Sequence, residues 1–228
     1  MNYHELTVTM QLKEDITNDQ MYSFLNNLIN NAMLYNEKLR EMHEKNEYKY
    51  YTYSSLNPIE KDKIYKKDRI YVFNIRSINK IFLANLKRVL PLTESNAKII
   101  STEIKSYSQK FITEMTTLSP VLATMMEKRY WKKEDGLEEI IVRTCKNAIR
   151  KYNQYFNAEV PEDTLFIQAI RQTNIKPVKI PYKHTNLIGN KFVMEIKTDK
   201  LSQDLAFFMK ATGMLEKNTI GLGYLASK

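Results

Sequence analysis

The sequence is poor in the residues that cross-link a chain or bend it sharply. It has one cysteine, five glycines and one tryptophan among 228 residues. A single cysteine, Cys145, excludes an internal disulfide and any metal site built from several cysteines. No run approaches the ~20 consecutive apolar residues of a membrane helix, and no basic segment followed by an apolar one opens the chain. We therefore expect a cytoplasmic protein with no membrane partner.

Several motifs of catalysis and metal binding are also missing. The chain has no Gly-x-x-x-x-Gly-Lys-Ser/Thr phosphate loop, no nucleophile elbow and no histidine pair at metal-ligand spacing. Three scattered histidines and one cysteine fit a zinc site poorly. The carboxylates show no pairing typical of a two-metal nuclease. We predict that the protein uses no cofactor and no metal.

The charge is strongly basic. The formal net charge is +9 and the pI is about 9.3, which favours an anionic partner such as RNA, DNA or an acidic membrane surface. The chain is also rich in Lys, Asn, Ile and Tyr, a bias that the base composition of a genome produces by itself. A basic housekeeping domain therefore stays open on charge alone.

The order of predicted elements indicates two ferredoxin-like units. Residues 6–104 read as strand, helix, strand, strand, helix, strand, which is the order of a split βαβ unit. The first helix is predicted over 21–39, begins at a capping box of Thr17 and Gln20, and is followed by a strand at Tyr50–Tyr53. Residues 57–69 are expected to form a solvated loop.

The second half repeats this outline less cleanly, without a sequence repeat. It has strand candidates at 111–117, 121–126, 165–170, 192–196 and 221–225, helices at 137–152 and 201–212, and a basic connection at 176–183. We predict an α+β protein of tandem ferredoxin-like (RRM-like) domains, with domains at 1–108 and 109–228.

The stretch from Gly213 to Lys228 holds three of the five glycines, Gly213, Gly221 and Gly223. It follows a predicted helix and ends in a short predicted strand. Backbone N–H groups in such a loop would come close to a phosphate. From spacing alone, a helix C-cap and a close crossing of strands are the favoured explanation of the same glycines.

His43 and Lys49 form a candidate pair for cleaving RNA. That reaction needs a base for the 2′-hydroxyl, an acid for the leaving oxygen and positive charge on the phosphorane, and the substrate carries its own nucleophile. His43 is predicted just beyond the first helix, six residues before Lys49. A histidine titrates near neutrality, and a lysine supplies charge. A solvated residue favoured by the helix dipole is the alternative explanation of His43.

Two basic clusters are candidates for contacting a phosphate backbone. The first cluster lies at helical spacing opposite the apolar stripe of the helix at 137–152 and consists of Arg143, Lys146, Asn147 and Arg150. A solvated helix face is an equally good explanation of these residues. The second cluster lies near the glycine-rich stretch and consists of Lys176, Lys179, Lys183 and Lys191. Tyrosines 48, 50, 51 and 53 would stack on bases, or pack within a strand.

The glycine-rich stretch resembles the signature loop of the CRISPR-associated endoribonucleases of family six, which process precursor CRISPR RNA. That loop has two early glycines, a short polar stretch with a lysine, and Gly-Phe-Gly. Here Met214-Leu215 stands where the second early glycine is expected, and Leu222 replaces the central aromatic. The segments Tyr50–Leu56, Ser119–Val121 and Lys179–Lys183 are similar to further family motifs, so the resemblance spans nearly the whole chain.

The resemblance implies residues and chemistry. The family's catalytic histidine commonly follows the first helix, as His43 does. A lysine often lies a few residues later, which matches Lys49. Lys45 is the alternative for this lysine. Tyr35 is the nearest candidate for a third catalytic residue. RNA would lie in a basic groove between the domains or along one outer face. Its predicted contacts are Arg143, Lys146, Arg150, Lys179, Lys183, Gly213, Lys217, Gly221 and Gly223.

The function implied is metal-independent cleavage within CRISPR repeats, leaving a 2′,3′-cyclic phosphate and a 5′-hydroxyl. A non-catalytic protein that binds the same repeat RNA is the first alternative. A general RNA-binding module is the second, although Ile70–Ile75 lacks the Lys/Arg-Gly start of an RRM octamer. Other subunits of a CRISPR effector complex and a second copy of the chain stay open as partners.

Overall fold

A computed structural model describes residues 1–125, 129–183 and 185–228. Met126, at the end of a predicted strand, and His184 lie outside the described residues. In chain order the first half contains β1 (Asn2–Leu12), β2 (Ile16–Thr17), α1 (Asn18–Leu34), α2 (Glu37–Glu44), β3 (Tyr51–Tyr53), β4 (Ile64–Tyr65), β5 (Ile70–Ser77), α3 (Lys80–Val89) and β6 (Ala97–Ser108). The second half contains β7 (Glu114–Thr117), α4 (Leu137–Phe156), β8 (Ile167–Gln172), β9 (Val178–Tyr182), β10 (Thr185–Gly189), β11 (Phe192–Ile196), α5 (Lys200–Thr212) and β12 (Leu225–Ser227).

Two antiparallel four-stranded sheets give the protein its architecture. The first has the order β3-β5-β1-β6 and the second the order β12-β7-β11-β8. The central strands are β1 and β5 in the first sheet and β7 and β11 in the second. In chain order, each of these four strands is followed by a helix that precedes the next strand of its sheet. The predicted α+β fold of tandem ferredoxin-like units is confirmed. The sheet changes between Ser108 and Glu114, and the division into domains 1–108 and 109–228 stays a prediction.

Each strand or helix forms where the spacing of its apolar residues places them on the one face that packs against the core. In β1, Leu6, Val8, Met10 and Leu12 are fully buried and alternate with more exposed residues, which is the pattern of a strand with one face on a core. The helix that follows starts at the predicted capping box, where the Thr17 N–H donates to Gln20 Oε1 at 3.0 Å. Each half has its own apolar core.

The predicted helix at 21–39 is two helices. α1 ends at Leu34, and α2 begins at Glu37 with Asn36 as its N-cap. The Leu39 N–H donates to Asn36 Oδ1 at 3.1 Å, and asparagine favours this local bond over a position inside a helix. His43 therefore lies beyond the first helix α1, as expected, but within the last turn of a second helix, α2, which was not predicted.

Three further segments differ from expectation. The expected loop at 57–69 contains β4, which pairs with β2. The basic connection at 176–183 forms β9 of an antiparallel hairpin with β10. The last strand starts only at Leu225, because Gly221 and Gly223 have positive φ angles of 84° and 69°, which no strand residue adopts.

A buried polar cluster joins the two halves. The Arg76 guanidinium on β5 donates to Glu5 Oε2 at 2.8 Å, to the Tyr224 hydroxyl at 2.7 Å and to the Leu225 carbonyl at 2.8 Å. Tyr224 in turn donates to Glu5 Oε2 at 3.0 Å. One arginine thus connects two strands of the first sheet with the end of the chain.

Candidate functional site

A cleft of about 1140 Å³ lies between the two halves. One wall comes from α1, the end of α2 and the segment leading into β3; the other comes from α4, the β9–β10 hairpin and the loop after α5. The polar and aromatic residues that line this cleft include Asn26, Asn27, Asn30, Asn31, His43, Lys45, Tyr48, Lys49, Asn147, Lys151, Tyr182, Lys183 and Lys217. The cleft gathers residues that lie far apart in the sequence.

His43 projects from the last turn of α2 into this cleft and is exposed. Among the described residues, no side chain or backbone group hydrogen-bonds to the His43 ring.

Lys49 lies beside the same helix end. Its ammonium donates to the carbonyls of Met42 and Lys45, two of the carbonyls that a helix end leaves unpaired. Burial lowers the pKa of Lys49; Glu47 opposes the shift and Lys45 adds to it. Through these two hydrogen bonds, Lys49 connects the segment before β3 to the end of α2, the helix that carries His43. Lys45, the alternative, also lines the cleft.

Tyr35 is placed apart from these two residues. It caps the C-terminus of α1, is 52% exposed, and is not among the described residues that line the cleft. Its participation stays a prediction.

The glycine-rich loop closes the cleft from the second half, and the fold itself requires its glycines. All three have positive φ angles, a region that favours glycine. A Cβ on Gly223 would lie 2.2 Å from the Met214 carbonyl oxygen, and one on Gly221 would lie 2.5 Å from the Tyr53 ring. Because protein atoms occupy these spaces, packing explains the glycines. Within the loop, Lys217 is exposed to the cleft.

Lys151 is a site residue that the sequence analysis missed. It is 5% exposed, and its ammonium donates to the Gly213 and Leu215 carbonyls and, at 2.7 Å, to Asn218 Oδ1. Burial lowers its pKa to about 7, and the Glu216 carboxylate opposes the shift. The sequence does hold a signal, because position 151 continues the apolar stripe of α4 through Thr144 and Ala148 at helical spacing.

The predicted basic face of α4 lies largely outside the cleft. Arg150 and Lys146 both pair with Glu162, at 2.8 Å and 3.4 Å. Arg143 pairs with Glu139 and donates to the Thr124 carbonyl at 3.0 Å. The two pairs with Glu162 are exposed, and such pairs are weak, whereas Arg143 is half-buried. Contact of these three side chains with RNA stays a prediction. Asn147, from the same helix, does line the cleft.

The two predicted lysines of the hairpin go to different places. Lys183 lies at the hairpin tip and lines the cleft, with its ammonium 5.7 Å from the centre of the Tyr182 ring. Lys179 is exposed beside a smaller cavity of about 230 Å³. The structure therefore brings together His43, Lys49, Lys183 and Lys217 and leaves Lys179 outside.

Metal-binding clusters and membrane-spanning helices are both absent from the described residues. The part of the chain that the structure describes has no group of three or more His, Cys, Asp and Glu side chains arranged to hold a metal ion. It also contains no helix with both the length and the apolarity needed to span a membrane.

Comparison of the whole structure with solved structures identifies the fold. A structure described as CRISPR associated protein Cas6 superposes with a TM-score of 0.70 at 20% identity, covering 99% of each chain. The chain has the fold of the Cas6 proteins. A Cas6-related protein from Pyrococcus furiosus gives a TM-score of 0.64 at 20% identity, over 100% of this chain and 98% of the other.

A third structure is described as a RAMP protein that binds different RNA substrates. It gives a TM-score of 0.72 at 18% identity, again over 99% of each chain. No protein-family model and no curated protein sequence matches the chain. The Cas6 fold thus extends over the full chain, although few residues are identical.

Proposed function

We propose that the protein is a metal-independent endoribonuclease that cleaves precursor CRISPR RNA within its repeats. One observation carries the proposal: a Cas6 fold whose central cleft gathers His43, Lys49 and Lys217 from both halves. A basic cleft is suited to a polyanion, and a histidine beside a lysine is suited to phosphodiester cleavage. The structural neighbour that binds RNA substrates supports the same class of ligand.

The proposed reaction uses the substrate's own nucleophile. The 2′-hydroxyl attacks the adjacent phosphorus and loses its proton, the bond to the 5′-oxygen breaks, and that oxygen takes up a proton. The products are a 2′,3′-cyclic phosphate and a 5′-hydroxyl. His43 acts as the general base or acid, and Lys49 stabilises the charge of the phosphorane. Lys183 and Lys217 hold the flanking phosphates.

The test is cleavage of synthetic repeat RNA in EDTA by the wild type and by His43→Ala. We expect the variant to lose cleavage, since one acid–base group contributes roughly 100- to 10,000-fold in rate. Repeat binding should stay nearly intact, because a single exposed imidazole adds little to the affinity. His4→Ala, which removes a histidine on β1 that is not among the cleft residues, is the matched control. A His43→Ala protein that cuts at the wild-type rate would remove His43 from the mechanism.

The second candidate is a non-catalytic protein that binds the repeat. It is favoured by the absence, among described residues, of any hydrogen bond that orients the His43 ring, since catalytic bases are usually held by a further group. This protein would shift repeat RNA in EDTA without cutting it. Equal affinity for repeat and scrambled RNA would instead indicate a general RNA-binding module.

A further inference from the structure

The α1 wall of the cleft carries a row of asparagine amides. Asn26, Asn27, Asn30 and Asn31 all line the cleft, and their spacing forms two i,i+4 pairs on neighbouring rows of the helix. Side chains four residues apart lie about 5–6 Å from each other. We call this set the asparagine face.

The fold does not use these amides. None of the four side chains hydrogen-bonds to another residue in the described ranges, whereas Asn36 and Asn79 cap helices and Asn218 holds the glycine-rich loop. Asparagine also disfavours the interior of a helix relative to alanine. Four such residues together on one helical face therefore indicate a ligand.

The chemistry of the asparagine face differs from that of the opposite wall. Lysine ammonium groups, such as those of Lys183 and Lys217, suit phosphates, whereas a neutral amide adds no charge for counterion release. An amide offers one donor and one acceptor side by side, which match a base edge, above all N6 and N7 of adenine. Unpaired RNA bases expose such edges, and Tyr48 and Tyr182 in the same cleft supply rings for stacking.

We propose that the asparagine face of α1 binds the edges of unpaired RNA bases, with a preference for adenine. It rests on the proposed function only in taking RNA as the ligand. The lysines hold the backbone without regard to sequence, and the asparagine face supplies the sequence preference within the cleft.

The test compares the wild type with the double variant Asn27→Ala and Asn31→Ala. Both residues are exposed, and alanine favours a helix, so the variant should fold. The control is Gln154→Ala, an exposed amide on α4 that is not among the cleft residues. Binding of oligoadenylate and of an abasic RNA of equal length is followed by fluorescence anisotropy over a series of salt concentrations.

We expect the double variant to lose roughly 5- to 150-fold in affinity for oligoadenylate, the range for a good bidentate base contact. Its affinity for the abasic RNA and the salt dependence of binding should not change, and the control should match the wild type. An unchanged ratio of the two affinities, or a wild type without preference for oligoadenylate, would overturn the proposal.

Cleavage of repeat RNA is measured separately. If the double variant loses the base preference and the wild type does not cut, the proposed role of the asparagine face stands and the proposed nuclease activity is refuted. Cutting by the wild type with an unchanged affinity ratio would refute the asparagine face alone.

Discussion

A buried lysine is the most unusual residue of the cleft. Desolvation disfavours the charge of Lys151, while three oxygen acceptors around its Nζ suit the three donors of an ammonium. The hydrogen bonds therefore hold the glycine-rich loop to α4 at the cost of burying a charge. Replacement by methionine would keep most of the volume and leave these oxygens without a donor.

The stability contribution of Lys151 should depend on pH. Its folded-state pKa of about 7 lies below the ordinary value of 10.5. Between these two values the unfolded chain binds more protons, so this group makes the protein more stable as pH rises and less stable as pH falls towards 7. We expect the stability difference between wild type and Lys151→Met to grow by up to about 1.4 kcal/mol per pH unit above pH 7.

Urea unfolding of both proteins between pH 6 and pH 9 measures this difference. Comparison with the variant removes the contributions of the other titrating groups. A difference that stays constant over this window would mean that Lys151 does not change its protonation there.

At the scale of elements, α2 determines where His43 lies. This helix is short, and its start depends on the Asn36 cap, as the start of α3 depends on Asn79, whose Oδ1 accepts from the Phe82 N–H at 3.0 Å. Loss of either cap frays the first turn of its helix. Of these two helices, α2 carries a cleft residue, His43, in its last turn, whereas no residue of α3 is among those that line the cleft.

Asn36→Ala and Asn79→Ala should therefore separate stability from activity. Each variant should lose about 1 kcal/mol of unfolding free energy, the usual cost of a lost cap. Only Asn36→Ala should slow cleavage of repeat RNA, by up to about 100-fold, because displacement of a catalytic group by about 1 Å has effects of this size. Equal cleavage rates in the two variants would show that the position of α2 does not limit the reaction.

At the scale of the whole molecule, the Arg76 cluster connects the two sheets. Arg76 is 7% exposed and Glu5 is 8% exposed, so both charges depend on each other for compensation. Removal of one member leaves the other charged, buried and without its partner. The cluster thus links the folding of one half to that of the other.

Arg76→Ala should reduce the free energy of unfolding by about 3–5 kcal/mol, the cost of breaking a buried ion pair. The matched control is Arg150→Ala, which breaks an exposed pair with Glu162 and should cost less than about 1 kcal/mol. Urea unfolding measures both. Equal losses in the two variants would contradict the special role of the buried cluster.

The sequence predicts those parts of the molecule that depend on local patterns. Alternation of apolar residues identifies β1 and β11, and the Thr17 capping box identifies the start of α1. Patterns within short windows do not reveal long-range pairing, which is why β4 and the β9–β10 hairpin were missed. The break at Asn36 was missed because apolar periodicity continues across it to Leu39.

The cleft could not be predicted from the sequence because it, too, depends on contacts between distant parts of the chain. His43, Lys49, Lys183 and Lys217 come together there, yet no spacing in the sequence links residues from the two halves. Lys151 was missed since a lysine next to Arg150 fits a solvated face, and only its phase on the apolar stripe indicates burial. The pairing of Arg150 and Lys146 with Glu162 likewise depends on how the chain folds back after α4.

The contact between Gly221 and Tyr53 has a consequence for biosynthesis. Tyr53 lies on the edge strand of the first sheet, and the loop that covers it is translated after every other helix of this chain. Until those residues leave the ribosome, the wall that carries Lys217 is missing. The nascent chain therefore acquires its two-sided cleft only after α5 and this loop have emerged, and shorter ribosome-bound fragments should lack the wall that carries Lys217.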